Sequence, residues 1–231
     1  MTIGCPRVHL RLTDSTNVRA RELAVAGAPD GTLVTAAEQS AGRGRQGRTW
    51  SAPAGSALLC SLVLRSPPAL LSLRAGVAVA ATVSRLAGLS PAAIGIKWPN
   101  DVLVDGRKVA GILVEARPQE DWAVLGIGLN VAVSVDQLPL EIRDSAGTLG
   151  LAPAAIESVL AELLGQLERW RTAPTAEVLD ALRARDALFG REVGWEGGSG
   201  VAAGIDGDGR LVVDTERGRL ALDAGEVHLR V

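Results

Sequence analysis

The pattern of apolar residues changes near Leu188. Before that residue, several long stretches have the spacing of amphipathic helices, and several short stretches alternate as strands do. From Gly190 onward the chain carries ten of its 27 glycines, and its apolar residues occur in short alternating runs separated by turn-forming pairs such as Asp206-Gly207. We therefore predict two domains, a larger one in residues 1–187 and a small all-β one in residues 188–231.

The composition indicates a folded chain with an aliphatic core. Hydrophobic residues make up 47% of the 231 residues and the net charge is −2. These values exclude a disordered chain and argue against a protein that binds nucleic acid over its whole surface. Because the chain has one Phe, no Tyr and five Trp, its core must be built from Ala, Val, Leu and Ile.

The sequence favours a soluble, cytoplasmic protein that does not bind membranes. The first residues lack a long apolar stretch behind a basic start, so we expect no secretory signal. The most apolar long run, residues 70–89, is interrupted by Arg74 and Arg85, which favours a buried helix over a membrane span. Cys5 and Cys60 lack the spacing of metal ligands and indicate a reducing environment.

The larger domain reads as an α+β fold, a mixed β-sheet flanked by helices. Its strands are connected by hairpins as well as by helices, which a doubly wound sheet would not show. Asp105-Gly106 is the strongest hairpin signal. The predicted strands are residues 8–12, 32–38, 56–64, 94–98, 102–104, 108–115 and 122–133, and the predicted helices are residues 17–26, 70–88, 153–171 and 174–185.

The polar run GRGRQGRTW, residues 42–50, is the first segment with chemical character. Glycines let the backbone approach an anion, arginines offer several fixed donors to phosphate or carboxylate, and Trp50 can stack on a flat heterocycle. The run is neither a P-loop nor a dinucleotide fingerprint. By itself it is equally well explained as a solvated basic loop, and an Arg/Gly patch for RNA is a third interpretation.

The second segment is KWPNDV, residues 97–102, with RKVAGILVE at residues 107–115. The Asp105-Gly106 turn folds Lys108 back toward Asp101, and alone this pair could be a plain surface ion pair. Lys108 also stands at the mouth of an apolar strand, where a cation can meet a phosphate. Trp98 could line a pocket or only brace the turn.

The third segment is GIGLNV, residues 126–131. Two glycines in an apolar strand cost stability, so either a ligand or another backbone approaches them closely, or the strand contains a β-bulge. Asn130 offers both a donor and an acceptor, which suits the edge of a nucleobase.

Together these segments resemble the biotin protein ligases, with Ser15-Thr16-Asn17 and Glu38-Gln39 in the same order. The resemblance covers roughly residues 8–135 and, more loosely, the small β domain. It implies a catalytic domain related to class II aminoacyl-tRNA synthetases, followed by an SH3-like β-barrel. It also implies an ATP-dependent ligase that makes biotinyl-5′-AMP with Mg²⁺ and then biotinylates a lysine of a biotin carboxyl carrier protein domain, as in acetyl-CoA carboxylase.

The resemblance also implies a role for each matching residue. Lys108, Arg45 and Asp101 are the expected catalytic residues, at the α-phosphate, at the adenylate phosphate and near the incoming lysine amine. The expected biotin-binding residues are Ser15, Thr16, Asn17, Gln39, Gly42, Arg43, Gly111 and Leu113, with Gly42 and Arg43 closing over biotin and its carboxyl end. The expected ATP and adenylate contacts are Arg45, Arg48, Trp50, Lys108 and Asn130, with Trp50 stacking on adenine.

Some expectations concern partners and competing functions. No residue is assigned as a metal ligand. Because the catalytic pattern begins by residue 8, we expect a ligase without the DNA-binding domain that makes some members repressors, either a monomer or a weak homodimer. A lipoate or octanoate ligase is the nearest alternative, although the residues 42–50 and 97–102 resemble the biotin branch. A nucleic-acid-binding module is weaker, since the chain has no second basic cluster.

Overall fold

The computed structural model describes residues 3–86, 88–223, 225 and 227–229. Its helices are α1 Thr16–Val25, α2 Leu71–Leu86, α3 Leu140–Arg143, α4 Ile156–Thr172 and α5 Thr175–Arg183. Its strands are β1 Arg7–Leu10, β2 Leu33–Ala36, β3 Ala57–Arg65, β4 Ile94–Lys97, β5 Asp101–Val104, β6 Arg107–Arg117, β7 Trp122–Asn130, β8 Glu192–Trp195, β9 Gly198–Ile205, β10 Leu211–Thr215, β11 Gly218–Leu222 and β12 His228–Leu229.

The larger sheet has the strand order β1-β2-β3-β7-β6-β5-β4. Strands β1 and β2 run parallel, whereas the other neighbours are antiparallel, so the prediction of a mixed α+β sheet is confirmed. Asp105 and Gly106 form the turn between β5 and β6 with φ values of 48° and 77°. Positive φ at both positions is what a tight hairpin requires, and Asp and Gly accept it at low cost.

Alternation of side chains gives the sheet two different faces. Ala20 and Ala24 of α1 pack on one face against Val34, Val63 and Val124. The opposite face buries the leucines of the same strands beneath α2 and α4. The apolar run at residues 70–89 therefore contains a buried helix, α2, as predicted.

Arg74 of that helix is 5% exposed, and it donates to the carbonyls of Ala69, Trp170 and Ala173 and to the hydroxyl of Thr175. These acceptors explain how a cation can be buried within the helix layer, because a buried charge needs hydrogen-bond partners. Within the described ranges, no helix has the length and apolar character needed to cross a membrane.

The first turn of α1 is capped by a residue that is distant in the sequence. Ser15 occupies the N-cap position, but its side chain makes no capping hydrogen bond. The N–H of Thr16 donates instead to Oε1 of Gln39, at 2.7 Å. Gln39 therefore replaces the local cap and leaves the Ser15 hydroxyl available to a ligand. The short helix α3 was not predicted, since four residues carry no readable periodicity.

The C-terminal strands form a second, antiparallel sheet in the order β11-β10-β9-β8-β12. This agrees with the predicted SH3-like barrel. The two sheets share one buried apolar cluster, to which the C-terminal part contributes Val193, Leu211 and Val213. Nε1 of Trp98 donates to the carbonyl of Gly209 at 3.0 Å, so this Trp braces the second sheet against the first.

Candidate active site

The α1 face of the larger sheet carries the functional motifs. Gly126 and Gly128 point to this face, while Ile127 and Leu129 lie in the core on the other side. Cross-strand partners share a face, so Gly111 lies beside Gly128 and Leu113 beside Gly126. The result is a flat floor beneath a cavity of about 480 Å³.

Trp50 lies across this floor. A Cβ atom on Gly128 would stand 2.7 Å from Nε1 of the indole, and one on Gly111 would stand 3.0 Å from Cζ3. Lys108 Nζ is 5.7 Å from the centre of the ring, within the range of a cation–π contact. The glycines are therefore approached by a side chain of the same chain. Another backbone does not make this approach, and β7 pairs with both neighbours without a bulge.

Gly126 makes room for Asn17 in the same way, since a Cβ atom there would overlap the Asn17 amide. Asn17 belongs to a row of buried polar groups. Ser61 Oγ lies 2.6 Å from Asn17 Oδ1 and 2.8 Å from Thr16 Oγ1, and Thr16 Oγ1 lies 3.1 Å from Oε1 of Gln39. This row forms one end of the cavity with a fixed order of donors and acceptors.

A carboxylate outside the cavity lining holds the outer end of that row. Glu115 Oε2 accepts a hydrogen bond from Asn17 Nδ2 at 2.8 Å, and Glu115 Oε1 pairs with Arg43 Nη1 at 3.0 Å. The polar run at residues 42–50, here called the Gly/Arg loop, folds as a narrow hairpin. In it the N–H of Trp50 donates to the carbonyl of Gly42. A Cβ atom on Gly42 would stand 2.8 Å from Nε2 of Gln39, so this glycine lets the loop approach Gln39 closely.

The other end of the cavity is cationic. Lys108 Nζ lies 2.7 Å from Asp101 Oδ1, as the hairpin predicts, and the two side chains are 35% and 17% exposed. Arg45 donates to Oδ1 of Asn100 at 3.1 Å and to the carbonyl of Gly225 at 3.2 Å. The loop arginine is thus tied both to the turn after β4 and to the C-terminal part of the chain.

Asn130 also lines the cavity and is 4% exposed. Its Nδ2 donates to the carbonyl of Gly147 at 2.9 Å, and among the described residues its buried Oδ1 has no hydrogen-bond partner. A buried acceptor without a partner is costly, so a ligand that donates an N–H here would relieve that cost. The exocyclic amine of adenine has this character.

Two pKa shifts accompany this arrangement. The N–H of Ser15 and the guanidinium of Arg19 lower the pKa of Asp14 to about 2, which keeps this carboxylate charged before α1. Burial raises the pKa of the Cys60 thiol, on β3, to about 12. No group of three or more His, Cys, Asp or Glu among the described residues could hold a metal ion.

All predicted site residues except Gly42 line the cavity. Sequence reasoning missed Ser61, Glu115, Asn100 and the C-terminal residues Val227 and Leu229, of which Asn100, Val227 and Leu229 also line the cavity. Ser61 is the one polar residue in the apolar run at residues 57–64, a signal that could have been used. Trp98 lines the cavity, which is one of its two predicted roles, and its hydrogen bond to Gly209 in the second sheet was not predicted.

Comparison with known proteins defines the class to which this fold and site belong. The model of the biotin/lipoate A/B protein ligase family matches residues 9–131, and that of the biotin protein ligase C-terminal domain matches residues 189–230. The biotin–[acetyl-CoA-carboxylase] ligase of Mycobacterium tuberculosis is 39% identical over 94% of this chain and 87% of its own length. The corresponding ligase of Paracoccus denitrificans is 37% identical over 94% and 98%.

A solved structure agrees with these relatives. The biotin protein ligase of Aquifex aeolicus in complex with biotin and ATP superimposes with a TM-score of 0.80, at 29% identity, over 97% of this chain and 98% of that one. The chain therefore belongs to the biotin protein ligase family.

Proposed function

We propose that the chain is an ATP-dependent ligase that activates biotin as biotinyl-5′-AMP and transfers it to a lysine of a biotin carboxyl carrier protein domain. The observation that carries the proposal is the meeting of Lys108, Asp101 and Arg45 in one cavity with the Thr16–Gln39 row. A ring with urea character needs ordered donors and acceptors, whereas an acyl phosphate needs cations. The two ends of the cavity offer these two environments.

In the first step, a carboxylate oxygen of biotin attacks the α-phosphorus of ATP. A new P–O bond forms, the bond to the bridging oxygen breaks, and pyrophosphate leaves with its electron pair. Two anions approach each other, so stabilisation is needed most where negative charge develops. Lys108 and Arg45 supply fixed positive charge there. Mg²⁺ would enter with the phosphates of ATP, which is the usual way for this ion to bind.

In the second step, the lysine amine of the carrier attacks the acyl carbon and AMP leaves. The nucleophile must be a neutral amine, although a free lysine is mostly protonated near neutral pH. The phosphates compete with Asp101 for Lys108, because both are anions that the same ammonium group can bind. Asp101 then becomes available to orient the incoming amine and to accept its proton. The Lys108–Asp101 ion pair thus links the two steps.

The nucleotide site and the domain boundary are part of the proposal. Trp50 and Asn130 bind adenine, Arg48 lies with them on the cavity wall, and Arg43 and Leu113 contact biotin.

The larger domain is residues 1–187 and the barrel is residues 188–231, with the chain working as a monomer or a weak homodimer. The proposed boundary between the two domains lies between the end of α5 at Arg183 and the start of β8 at Glu192.

The decisive experiment is biotin-dependent exchange between ATP and labelled pyrophosphate. Exchange that requires biotin and is not supported by lipoate or octanoate is the expected result. Exchange with lipoate instead would assign the chain to the other branch of the family. Salt-dependent binding to oligonucleotides with no exchange would favour a nucleic-acid-binding module.

A further inference from the structure

Glu115 contacts two residues that line the cavity, although it does not line the cavity itself. Its side chain extends from β6 on the same face as Leu113, because the two positions are two residues apart in the strand. One carboxylate oxygen binds Asn17 of α1, and the other pairs with Arg43 of the Gly/Arg loop. A single side chain therefore joins a helix, a strand and a loop around the end of the cavity that holds Thr16 and Gln39.

The chemistry of the carboxylate decides the orientation of Asn17. A carboxylate can only accept, so the Asn17 amide must turn Nδ2 toward Glu115 and Oδ1 toward Ser61. The amide oxygen cannot donate, so it takes the Ser61 proton at 2.6 Å. Without Glu115, the amide could turn over, and the order of donors and acceptors beside Thr16 would change.

The same carboxylate changes what is expected of Arg43. The guanidinium is half-exposed but already paired with Glu115 at 3.0 Å. Its charge is therefore balanced by a group on β6, next to Asn17, and an arginine paired in this way holds the loop in place. Arg45, which contacts a neutral amide and a carbonyl, keeps its charge for an anion.

We infer that Glu115 is a positioning residue for the acid substrate, orienting the Asn17 amide and anchoring Arg43 so that the Gly/Arg loop stays against the biotin end of the cavity. The inference rests on the proposed function, since it concerns the same substrate. It assigns no contact between Glu115 and the ligand. The effect of Glu115 should therefore appear in the binding of biotin and not in that of ATP.

The test compares Glu115→Ala and Glu115→Gln by biotin-dependent exchange between ATP and pyrophosphate. Loss of a hydrogen bond to a charged group should raise the KM for biotin about tenfold or more in the alanine variant, with the KM for ATP unchanged. The glutamine variant keeps an acceptor for Asn17 but loses the charge that holds Arg43. Its KM for biotin should therefore lie between those of the wild type and the alanine variant. Partial rescue of this kind is not expected of a residue that only supports the fold.

Glu157→Ala is the matched control, because it removes the acid of another Arg–Glu pair, Arg7–Glu157 at 2.7 Å, away from the cavity. It should leave both KM values unchanged. The inference fails, while the proposed function stands, if the wild type shows exchange but Glu115→Ala has a normal KM for biotin. It fails in the same way if the variant's KM values for biotin and ATP rise equally. A wild type without biotin-dependent exchange would overturn both.

Discussion

The indole of Trp50 lies against the backbone of Gly128, so closely that a Cβ atom on Gly128 would stand 2.7 Å from the ring nitrogen. The glycine floor therefore occupies one side of the ring. Only the opposite side can receive a nucleobase. This relationship explains why the GIGLN segment and the Gly/Arg loop, about 80 residues apart in the chain, serve one site.

Replacement of Trp50 should weaken the binding of ATP much more than the binding of biotin. Stacking of a base on an aromatic ring is worth about 1–3 kcal/mol, so we expect Trp50→Ala to raise the KM for ATP about tenfold or more. Gly128→Ala should have the same selective effect, because the added methyl displaces the indole without removing it. Steady-state exchange kinetics measure both. An equal rise in the KM for biotin and the KM for ATP would show that Trp50 only packs against the sheet.

Lys108→Ala should slow adenylation and leave biotin binding measurable. Removing one group that stabilises developing charge lowers kcat by about 10²–10³-fold. Pyrophosphate release in a single turnover gives the rate, and calorimetry gives the affinity for biotin. Lys108→Arg, which keeps the positive charge, should be less impaired. A near-normal rate of pyrophosphate release by the alanine variant would remove Lys108 from the mechanism.

Asp101→Asn should separate the two steps. The amide cannot accept the proton of the incoming amine, so transfer to a carrier lysine should fall by about 10²–10⁴-fold while adenylation continues. Hydroxylamine, a neutral nucleophile that does not need this base, should discharge the adenylate at the wild-type rate. If the variant transfers biotin to the carrier normally, Asp101 serves only as the partner of Lys108.

Much of the site could be predicted because neighbouring strands carry it. Asp105-Gly106 identifies the hairpin, and the hairpin brings Lys108 to Asp101 whatever the rest of the fold does. Alternation along β7 then separates Gly126, Gly128 and Asn130 from the core residues between them. The hairpin turn is a local signal, and side chains alternate between the two faces of a strand every two residues. Both features can be read from the sequence.

The missed residues act through other side chains. Ser61 contacts Asn17 across 44 positions and Glu115 contacts it across 98. No local pattern contains such a contact, which exists only once α1 lies on the sheet. The same holds for the glycines, because a missing Cβ signals close approach but does not say what approaches. The C-terminal wall of the cavity depends on docking of the second sheet.

Gly126→Ala should raise the KM for biotin and leave that for ATP unchanged, because the methyl would overlap the Asn17 amide and displace it from Ser61. Gly165→Ala is the control, since a Cβ atom there meets nothing within 4 Å. That glycine lies inside α4, so the change should stabilise the fold by about 0.5–1 kcal/mol without affecting either KM. Exchange kinetics and thermal unfolding of both variants provide the measurements. An unaltered KM for biotin in Gly126→Ala would separate Asn17 from substrate binding.

The two thiols should differ in reactivity and in their effect on stability at high pH. Cys5 is exposed and Cys60 is buried, so a thiol reagent at pH 8 should label Cys5 in the folded chain and Cys60 only after unfolding. The pKa of Cys60 is raised by burial from 9.0 to about 12. Above pH 9 the unfolded chain therefore loses a proton that the folded chain keeps.

The folded state should accordingly lose stability as the pH rises from 9 toward 12, by about 1.4 kcal/mol per pH unit from this group. Other groups titrate in the same range, so the quantity to measure is the difference between the wild type and Cys60→Ala in chemical denaturation. The free energies of unfolding of the two proteins should converge with rising pH. Parallel pH profiles, or rapid labelling of Cys60 in the folded protein, would show that this thiol is open to water.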